Sequence, residues 1–355
     1  MGRLKFKKRW IADETFEAAA FIDVDNDGVL DIVSGEFWYK GPDFRKKNYI
    51  GKSMREGEYY DEFSVVPLDV NKDGYTDYIT GGWWGDTMYW MENPGEKGGE
   101  WARHILAEKV GNIETTKGFD IDGDGELEII PNNPGEPVII YKLTAPGEFT
   151  SYKISDFAQG HGMGFGDMNG NGRTDIIICS GWFEAPESID GDWKFHEFQF
   201  SDVAASVPMI VADINGDGLN EIIVGSAHGF GLWYWQKEGD TFKRCEIDPW
   251  SSQYHDILYI DIDNDGEKEL VTGKRFRAHC GNDNGEWDDI GVYYFKWNGN
   301  SFTKNVIDYI RIEEGTGGVG IYFDAADTTG NGFLDVLAPG KGGLYLYENL
   351  GMEEY

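Results

Sequence analysis

Four of the six histidines in this 355-residue chain have an unusual placement. His161 and His255 each stand six residues before the first aspartate of an acidic repeat. His228 and His279 each follow the apolar run that comes after such a repeat. Imidazole titrates near neutral pH and binds divalent metals, so these residues are candidates for general acid or base catalysis or for ligands of a catalytic divalent metal. The alternative is that each is an ordinary structural histidine.

The elements that must position these histidines follow from an acidic nonapeptide that occurs seven times. Each copy lies between an apolar run and a β-rich run, after which come an aromatic strand and a more polar strand. Four strands in every 46 to 51 residues, with one longer interval of 66, are typical of propeller blades. The sequence therefore predicts a single all-β domain over residues 1–355, a seven-bladed β-propeller with four-stranded blades. The copies begin at Asp23, Asp69, Asp120, Asp167, Asp213, Asp261 and Asp327.

The two ends of the chain fit one closed ring. Residues 4–10 precede the first repeat and have no blade of their own, whereas only three strands belong to the last repeat. We expect this N-terminal strand to complete the last blade, because a closed ring leaves no open sheet edge there.

The nonapeptides, called acidic loops below, have the composition of cation sites. Positions 1, 3, 5 and 9 of every copy carry an oxygen-bearing side chain, and position 6 is always glycine. Alternating oxygens and a sharp turn suit a hard cation, so structural Ca²⁺ is predicted, with Mg²⁺ as the alternative in a calcium-poor cytosol. The loops could instead be plain Asx turns. The candidate ligands are Asp23, Asp25, Asp27, Asp31, Asp69, Asn71, Asp73, Asp77, Asp120, Asp122, Asp124, Glu128, Asp167, Asn169, Asn171, Asp175, Asp213, Asn215, Asp217, Glu221, Asp261, Asp263, Asp265, Glu269, Asp327, Thr329, Asn331 and Asp335.

The four histidines are expected at the opposite mouth of the channel from the acidic loops. Six strand residues span roughly 20 Å, so each histidine lies at the far end of its strand. The same counting brings acids, a lysine and two tryptophans to this mouth, a combination that suits a sugar with many hydroxyl groups. The tryptophans could equally pack between blades. These candidate substrate-binding residues are Glu17, Asp61, Trp83, Trp84, Glu114 and Lys117.

The longest interval between repeats contains two insertions. Ala278–Ile290 is too polar and glycine-rich for a strand and carries His279, so we expect a loop folded over the mouth. The second insertion is Arg311–Gly320.

Composition excludes several classes of protein. With 31 basic and 64 acidic residues the formal charge is −33, which argues against partners such as nucleic acid or anionic membrane. The sequence contains no apolar run long enough to cross a bilayer and no apolar signal region near Met1, so we expect a cytoplasmic protein. Three scattered cysteines indicate neither a disulfide framework nor a cysteine-based zinc site. No organic cofactor is predicted, and the oligomeric state stays open.

The acidic loops resemble FG-GAP/VCBS repeats along the whole chain. Four longer stretches are similar to the propeller domain of aldos-2-ulose (1,5-anhydrofructose) dehydratases, namely HGMGFGDMNGNGRTDIIICSGWFEAP, GSAHGFGLWYW, SQYHDILYIDIDNDGEKELVTGKRFRAHCGNDNG and GTGGVGIYFDAAD. A more distant resemblance is to propeller polysaccharide lyases and rhamnosidases. The resemblance implies β-elimination from a keto-sugar and carries over to the four histidines, Lys274 and Arg275. The cupin region of the fungal dehydratase has no counterpart in these residues.

These observations predict a carbohydrate lyase acting on a small saccharide. His255 or His161 is the expected base, and Tyr254 or another histidine is the expected acid. A metal held by histidines, or Lys274 and Arg275, would stabilise the enolate. The alternatives are a glycoside hydrolase or polysaccharide lyase acting on uronate- or rhamnose-containing glycans, and a non-catalytic propeller that binds a glycan or a protein.

Overall fold

The computed structural model describes residues 3–239, 241–315 and 317–353. Residue 316 of the second insertion and the outermost residues of the predicted 1–355 domain lie outside these ranges. The described chain is all-β and arranged as a β-propeller, with two short 3₁₀ turns at Gly95–Lys97 and Ile312–Glu314. None of the helical segments in the described ranges is long and apolar enough to cross a membrane.

Thirty strands lie within the described residues, and most are short, as expected where turn residues recur every few positions. In chain order they are β1 (Arg3–Ala12), β2 (Ala20–Ile22), β3 (Asp31–Ser34), β4 (Phe37–Lys40), β5 (Lys46–Tyr49), β6 (Arg55–Glu56), β7 (Tyr59–Tyr60), β8 (Val66–Leu68), β9 (Asp77–Gly81), β10 (Thr87–Glu92), β11 (Ala102–Glu108), β12 (Thr115–Phe119), β13 (Glu128–Asn132), β14 (Pro137–Ala145), β15 (Glu148–Ala158), β16 (Met163–Gly166), β17 (Asp175–Ile178), β18 (Gly181–Glu184), β19 (Lys194–Glu197), β20 (Met209–Ala212), β21 (Glu221–Gly225), β22 (Phe230–Glu238), β23 (Thr241–Ser252), β24 (Tyr254–Ile260), β25 (Glu269–Lys274), β26 (Ile290–Trp297), β27 (Phe302–Ile310), β28 (Asp324–Ala326), β29 (Asp335–Ala338) and β30 (Leu344–Glu353).

Five sheets of the described chain have four antiparallel strands each, rather than the seven separate blades predicted. Their orders are β2-β3-β4-β5, β8-β9-β10-β11, β12-β13-β14-β15, β24-β25-β26-β27 and β28-β29-β30-β1. The fourth and fifth repeats share one eight-stranded sheet, in the order β19-β18-β17-β16-β20-β21-β22-β23. Strands β6 and β7 form a separate hairpin.

Glycines in β16 explain why two repeats are joined in one sheet. Strand β16 pairs in parallel with β20, with Gly164 opposite Met209. A Cβ atom on Gly164 would lie 2.4 Å from the carbonyl oxygen of Met209, so only glycine allows this approach. Gly166 makes a similar approach to Val211. The backbones therefore come close enough for the two innermost strands to hydrogen-bond.

Strand β1 closes the last sheet by pairing antiparallel with β30, from Arg3 opposite Glu353 to Ala12 opposite Leu344. This strand is slightly longer than the expected 4–10. Its Leu4 side chain is buried in a cluster with Val336 and Tyr347 of the same sheet.

The apolar core lies between neighbouring sheets rather than at a single centre. Ile130 and Ile140, for example, pack against Phe165 and Ile176 of the next repeat. The polar residues at strand ends are thereby held on a rigid frame.

Each acidic loop joins the innermost strand of a repeat to its second strand. The first aspartate binds backbone amides of its own loop, as Asp23 does with those of Asp27 and Gly28. The ninth residue is buried and accepts from the amide of the second, as Asp31 does from Val24. Hydrogen bonds from the chain itself thus hold the loops in shape.

Candidate functional site

Strand ends opposite the acidic loops bring a histidine cluster together. Glu114 directly precedes β12, His161 comes two residues before β16, and His255 is the second residue of β24. His228 lies in the connection from β21 to β22, which returns to the same end. Because innermost strands run in the same direction around a propeller, these side chains meet at one mouth.

Four donor atoms of this cluster converge on one point. Oε1 of Glu114 lies 2.8 Å from Nε2 of His255, 3.3 Å from Nε2 of His161 and 4.0 Å from Nε2 of His228. The Nε2 atoms of His161 and His228 are 3.1 Å apart. Four ligands around a metal at about 2.1 Å are about 3.4 Å from one another in a tetrahedron, so these separations suit an ion such as Zn²⁺.

Hydrogen bonds on the far side of two rings fix which nitrogen faces the centre. Nδ1 of His161 lies 2.8 Å from the carbonyl oxygen of Ala205, and Nδ1 of His228 lies 3.0 Å from Oδ2 of Asp283. Both partners only accept, so Nδ1 carries the proton and, in the neutral ring, Nε2 carries a lone pair. Two lone pairs 3.1 Å apart repel one another unless a proton or a metal cation lies between them. The donor set therefore fits a divalent metal.

Burial sets the charges of this cluster. Burial lowers the pKa of His228 to about 4, although Asp283 opposes the shift. Burial also lowers the pKa of His255 well below its usual value. Burial alone would raise the pKa of Glu114, but His161 and His255 together outweigh burial and bring this pKa well below its usual value. Glu114 is therefore a carboxylate. Neutral imidazole and carboxylate are the forms that bind metals.

His279 lies at the outer edge of the cluster. Its ring stacks on that of His228 at a centroid distance of 4.1 Å, and its Nδ1 lies 2.8 Å from Oδ1 of Asp283. The side chain is 47% exposed, unlike those of the other three histidines. Asp283 therefore orients both His228 and His279 through their Nδ1 atoms.

A second layer of charges supports the cluster. Arg275 is buried and donates through Nε and Nη2 to the two oxygens of Glu17, at 2.8 and 3.2 Å. Its Nη1 lies 3.8 Å from Oε1 of Glu114. Lys341 donates to the same Glu17 at 2.6 Å. Burial alone would raise the pKa of Glu17, but Arg275 and Lys341 outweigh burial, so the pKa is lowered.

Aromatic side chains lie beside this layer. The hydroxyl of Tyr59 donates to the carbonyl oxygen of Ala278, and its ring lies 4.2 Å from Nζ of Lys341 and 5.1 Å from the ring of Trp84. Trp84 is 39% exposed, and its amide donates to the buried Asp61. Trp83 is half-buried.

The comparison with protein-family models matches the FG-GAP-like repeat over residues 69–131, 120–178 and 189–272. Together these ranges cover more than half of the chain. The chain belongs to the FG-GAP-like repeat family. The comparison with curated protein sequences found no match.

Solved structures similar to this FG-GAP-like repeat protein share its fold at low sequence identity. An Agrocybe aegerita lectin that recognises non-reducing terminal N-acetylglucosamine has 17% identity and a TM-score of 0.52, covering 95% of this chain and 91% of its own. A Bacillus licheniformis rhamnogalacturonan lyase has 11% identity and a TM-score of 0.51, covering 99% and 76%. These similarities support the propeller arrangement.

Tyr254 does not reach the cluster, contrary to its assignment as an acid. It is fully buried, its hydroxyl donates to Oδ2 of Asp248 at 2.7 Å, and its ring packs near Tyr293 and Phe295. Burial raises the pKa of Tyr254 well above its usual value. Its role is to pack between repeats of the FG-GAP-like fold.

Lys274 and Lys117 are also engaged elsewhere. Nζ of Lys274 donates at 2.5 Å to the carbonyl oxygens of Gly285 and Asp288, so it holds the first insertion rather than an enolate. Lys117 forms an ion pair with the buried Asp256 at 2.9 Å. Neither position places its charge among the histidines.

The contact of Tyr254 with Asp248 predicts a pH-dependent stability. Burial raises the pKa of Asp248, but Lys304 and Tyr254 lower it more, to about 2. A carboxyl group whose pKa is lower in the folded state than in the unfolded state stabilises the folded protein when it is ionised. For Asp248 this stabilisation is complete above the unfolded pKa of about 3.9, and it is lost as the pH falls towards 2. Asp248→Asn should therefore cost about 1–2 kcal/mol at pH 7, and the difference from wild type should shrink below about pH 4. Urea unfolding across this range measures it, and a pH-independent difference would contradict the assignment.

Sequence reasoning missed three residues of the site. Asp283 follows His279 by four positions in a polar, glycine-rich insertion, and a carboxylate so close to a candidate histidine was a usable signal. Lys341 lies in the last repeat and Tyr59 in the β6–β7 hairpin, both far along the chain from the histidines. Their positions follow only from the closed ring.

Proposed function

We propose that the chain is a carbohydrate-active lyase of the dehydratase type, with a divalent metal held by Glu114, His161, His228 and His255. The observation that carries this proposal is the approach of two Nε2 lone pairs and one carboxylate oxygen to a single buried point. If an ion bound there took a substrate carbonyl oxygen as one further ligand, it would polarise that carbonyl and stabilise the charge of an enolate.

The base in this proposal is His279, rather than His255 or His161. His255 is fully buried and bonded to Glu114, and His161 is largely buried and bonded to Ala205. His279 is exposed, and Asp283 holds its Nδ1 proton so that Nε2 can accept a proton from substrate. Burial and other contacts thus separate the ligands from the base.

The elimination balances with the groups of this chain. Nε2 of His279 takes the proton from the carbon next to the carbonyl, and the electron pair forms a carbon–carbon double bond. The carbon–oxygen bond at the β position breaks, and the imidazolium of His279 gives the proton to the departing oxygen, which leaves as water while His279 returns to its neutral form. Asp283 stabilises the imidazolium ion that forms on His279, because its carboxylate lies 2.8 Å from Nδ1.

The choice of a carbohydrate rests on the mouth and on the fold relatives. Exposed Trp84 beside Tyr59 offers an apolar face for a sugar ring. The two solved structures described above are a rhamnogalacturonan lyase and a lectin for N-acetylglucosamine. The same aromatic surface and the lectin favour a second candidate, a propeller that binds glycans without catalysis.

Metal analysis and a substrate screen test the proposal together. The protein, purified without chelator, should contain a tightly bound transition metal, and chelation should remove both metal and activity. A panel of keto-sugars and uronate polysaccharides should give an unsaturated product, detected by its ultraviolet absorbance. Glycan binding without metal or product would favour the second candidate and overturn the lyase.

A further inference from the structure

The acidic loops differ at one position on the neighbouring third strand. The first residue after each loop pairs with a residue of the third strand. The residue that directly follows this partner in the sequence is called the facing position. In the first repeat Ile32 follows the loop and pairs with Tyr39, so the facing residue is Lys40. Across the seven repeats the facing residues are Lys40, Glu92, Lys142, Glu184, Gln236, Lys296 and Glu348.

The facing lysines lie where a cation would lie. Nζ of Lys142 is 2.6 Å from Asp122, 2.6 Å from Asp124 and 2.9 Å from Glu128, which are positions 3, 5 and 9 of its loop. Nζ of Lys296 has partners at the same three positions of its loop, Asp263 at 2.5 Å, Asp265 at 2.5 Å and Glu269 at 3.1 Å.

Lys40 repeats the arrangement in the first loop with two of the partners. Its Nζ lies 2.7 Å from Asp27 and also contacts Asp25. One ammonium group thus gathers carboxylates that would otherwise repel one another.

The third loop position varies together with the facing residue. It is aspartate in the three loops that have a facing lysine, namely Asp25, Asp122 and Asp263. In the other four it is Asn71, Asn169, Asn215 or Thr329, and the facing residue is then a glutamate or Gln236. The extra negative charge and the lysine therefore occur together, as expected if each requires the other.

The facing glutamates have partners of their own among the described residues. Glu92 contacts His104 at 2.6 Å and Glu184 contacts His196 at 2.8 Å, both from the outer strand of the same repeat. Glu348 pairs with Lys7 of β1 at 3.2 Å. Glu92 in addition accepts a hydrogen bond from Nδ2 of Asn71, the third residue of its loop, at 3.3 Å. In these repeats the facing carboxylate is thus paired with a basic side chain outside the loop, and within the described ranges no lysine lies among the loop carboxylates.

We propose that in the loops beginning at Asp23, Asp120 and Asp261 the facing lysine takes the place of the metal ion. These loops have four carboxylates each, the composition that most favours Ca²⁺, yet an ammonium group of the chain itself occupies their ligand oxygens. Each loop is therefore complete without metal, and removal of its lysine opens a Ca²⁺ site. This inference is independent of the proposed lyase function.

The test is Ca²⁺ binding by Lys142→Met, which keeps an unbranched side chain one atom shorter than lysine and removes the ammonium group. Equilibrium dialysis with Ca²⁺ should show about one more bound ion per chain than in wild type, and Ca²⁺ should raise the Tm of the variant more than that of wild type. Lys153→Met is the matched control, because Lys153 forms an exposed ion pair with Asp156 outside the loops. It should leave Ca²⁺ binding unchanged.

Three further variants keep the test decisive. Lys296→Met examines a second loop independently, in case Lys142→Met does not fold. Lys142→Met combined with Asp122→Asn should lose the new site again. The proposal is overturned if neither lysine variant gains an ion, or if Asp122→Asn alone makes wild-type protein lose one.

Discussion

Glu114→Gln should reduce turnover by roughly 100-fold or more and lower metal content in parallel. The substitution keeps the size of the side chain but removes the charge that faces Nε2 of His255 and His161. The amide can no longer neutralise a cation. Its N–H group would donate a hydrogen bond to the Nε2 lone pair of His161, and this lone pair would then no longer be free to bind a metal. Metal content by elemental analysis and initial rates on the substrate found in the screen measure the two effects.

His161→Ala should have the same consequence with little change in Tm, because the ring is held by the carbonyl oxygen of Ala205 at a strand end rather than by the apolar core. His255→Ala should also lose metal and activity, and it should lower the Tm as well, because it removes a fully buried ring and leaves Glu114 without its closest partner. His104→Ala and His196→Ala are the controls and should keep full activity and metal. Activity that survives Glu114→Gln at the wild-type level would remove the histidine cluster from the chemistry. Loss of the fold in all three cluster variants would make the cluster a structural feature.

Deletion of residues 1–12 is expected to destabilise the protein by at least about 3 kcal/mol, from the lost burial of Leu4 and Phe6 alone. Strand β1 covers the whole length of β30, and its removal also leaves the hydrogen-bonding edge of β30 open to other chains. Thermal unfolding followed by circular dichroism, together with light scattering, measures both effects.

Lys5→Ala is the control for this deletion, since Lys5 and Glu353 form a largely exposed ion pair worth at most about 1 kcal/mol. A synthetic peptide of residues 1–12 added to the truncated chain should restore part of the lost Tm. A truncated chain with wild-type Tm would mean that the last sheet is stable with three strands.

The repeat made the propeller architecture predictable, because every acidic loop fixes two strands around it and the period fixes the others. The joining of the fourth and fifth repeats was not predictable from that period. It depends on Gly164 meeting the backbone of Met209, which is a contact between strands that are not consecutive in the sequence. The number of repeats predicts the number of strands, but it does not predict which innermost strands form hydrogen bonds with each other.

The site was predictable in position and less so in the role of each side chain. Distance along a strand places residues at the correct end, which brought Glu114 and three histidines together. Side chains next to one another on a strand point to opposite sides. His255 faces the cluster, so its neighbour Tyr254 faces the core. In the same way Arg275 faces the cluster side, whereas its neighbour Lys274 points to the first insertion.

The pairing of β1 with β30 has a consequence for synthesis. Lys7 and Glu348 are 341 positions apart, so β1 leaves the ribosome long before the strand that will receive it. During that time its edge is open to strands of other nascent chains. Strand β1 carries Arg3, Lys5, Lys7, Lys8 and Arg9 in a chain that is otherwise strongly acidic. This local positive charge repels identical strands on neighbouring chains. We therefore expect it to reduce aggregation of β1 until β30, which carries Glu348 and Glu353, has been synthesised.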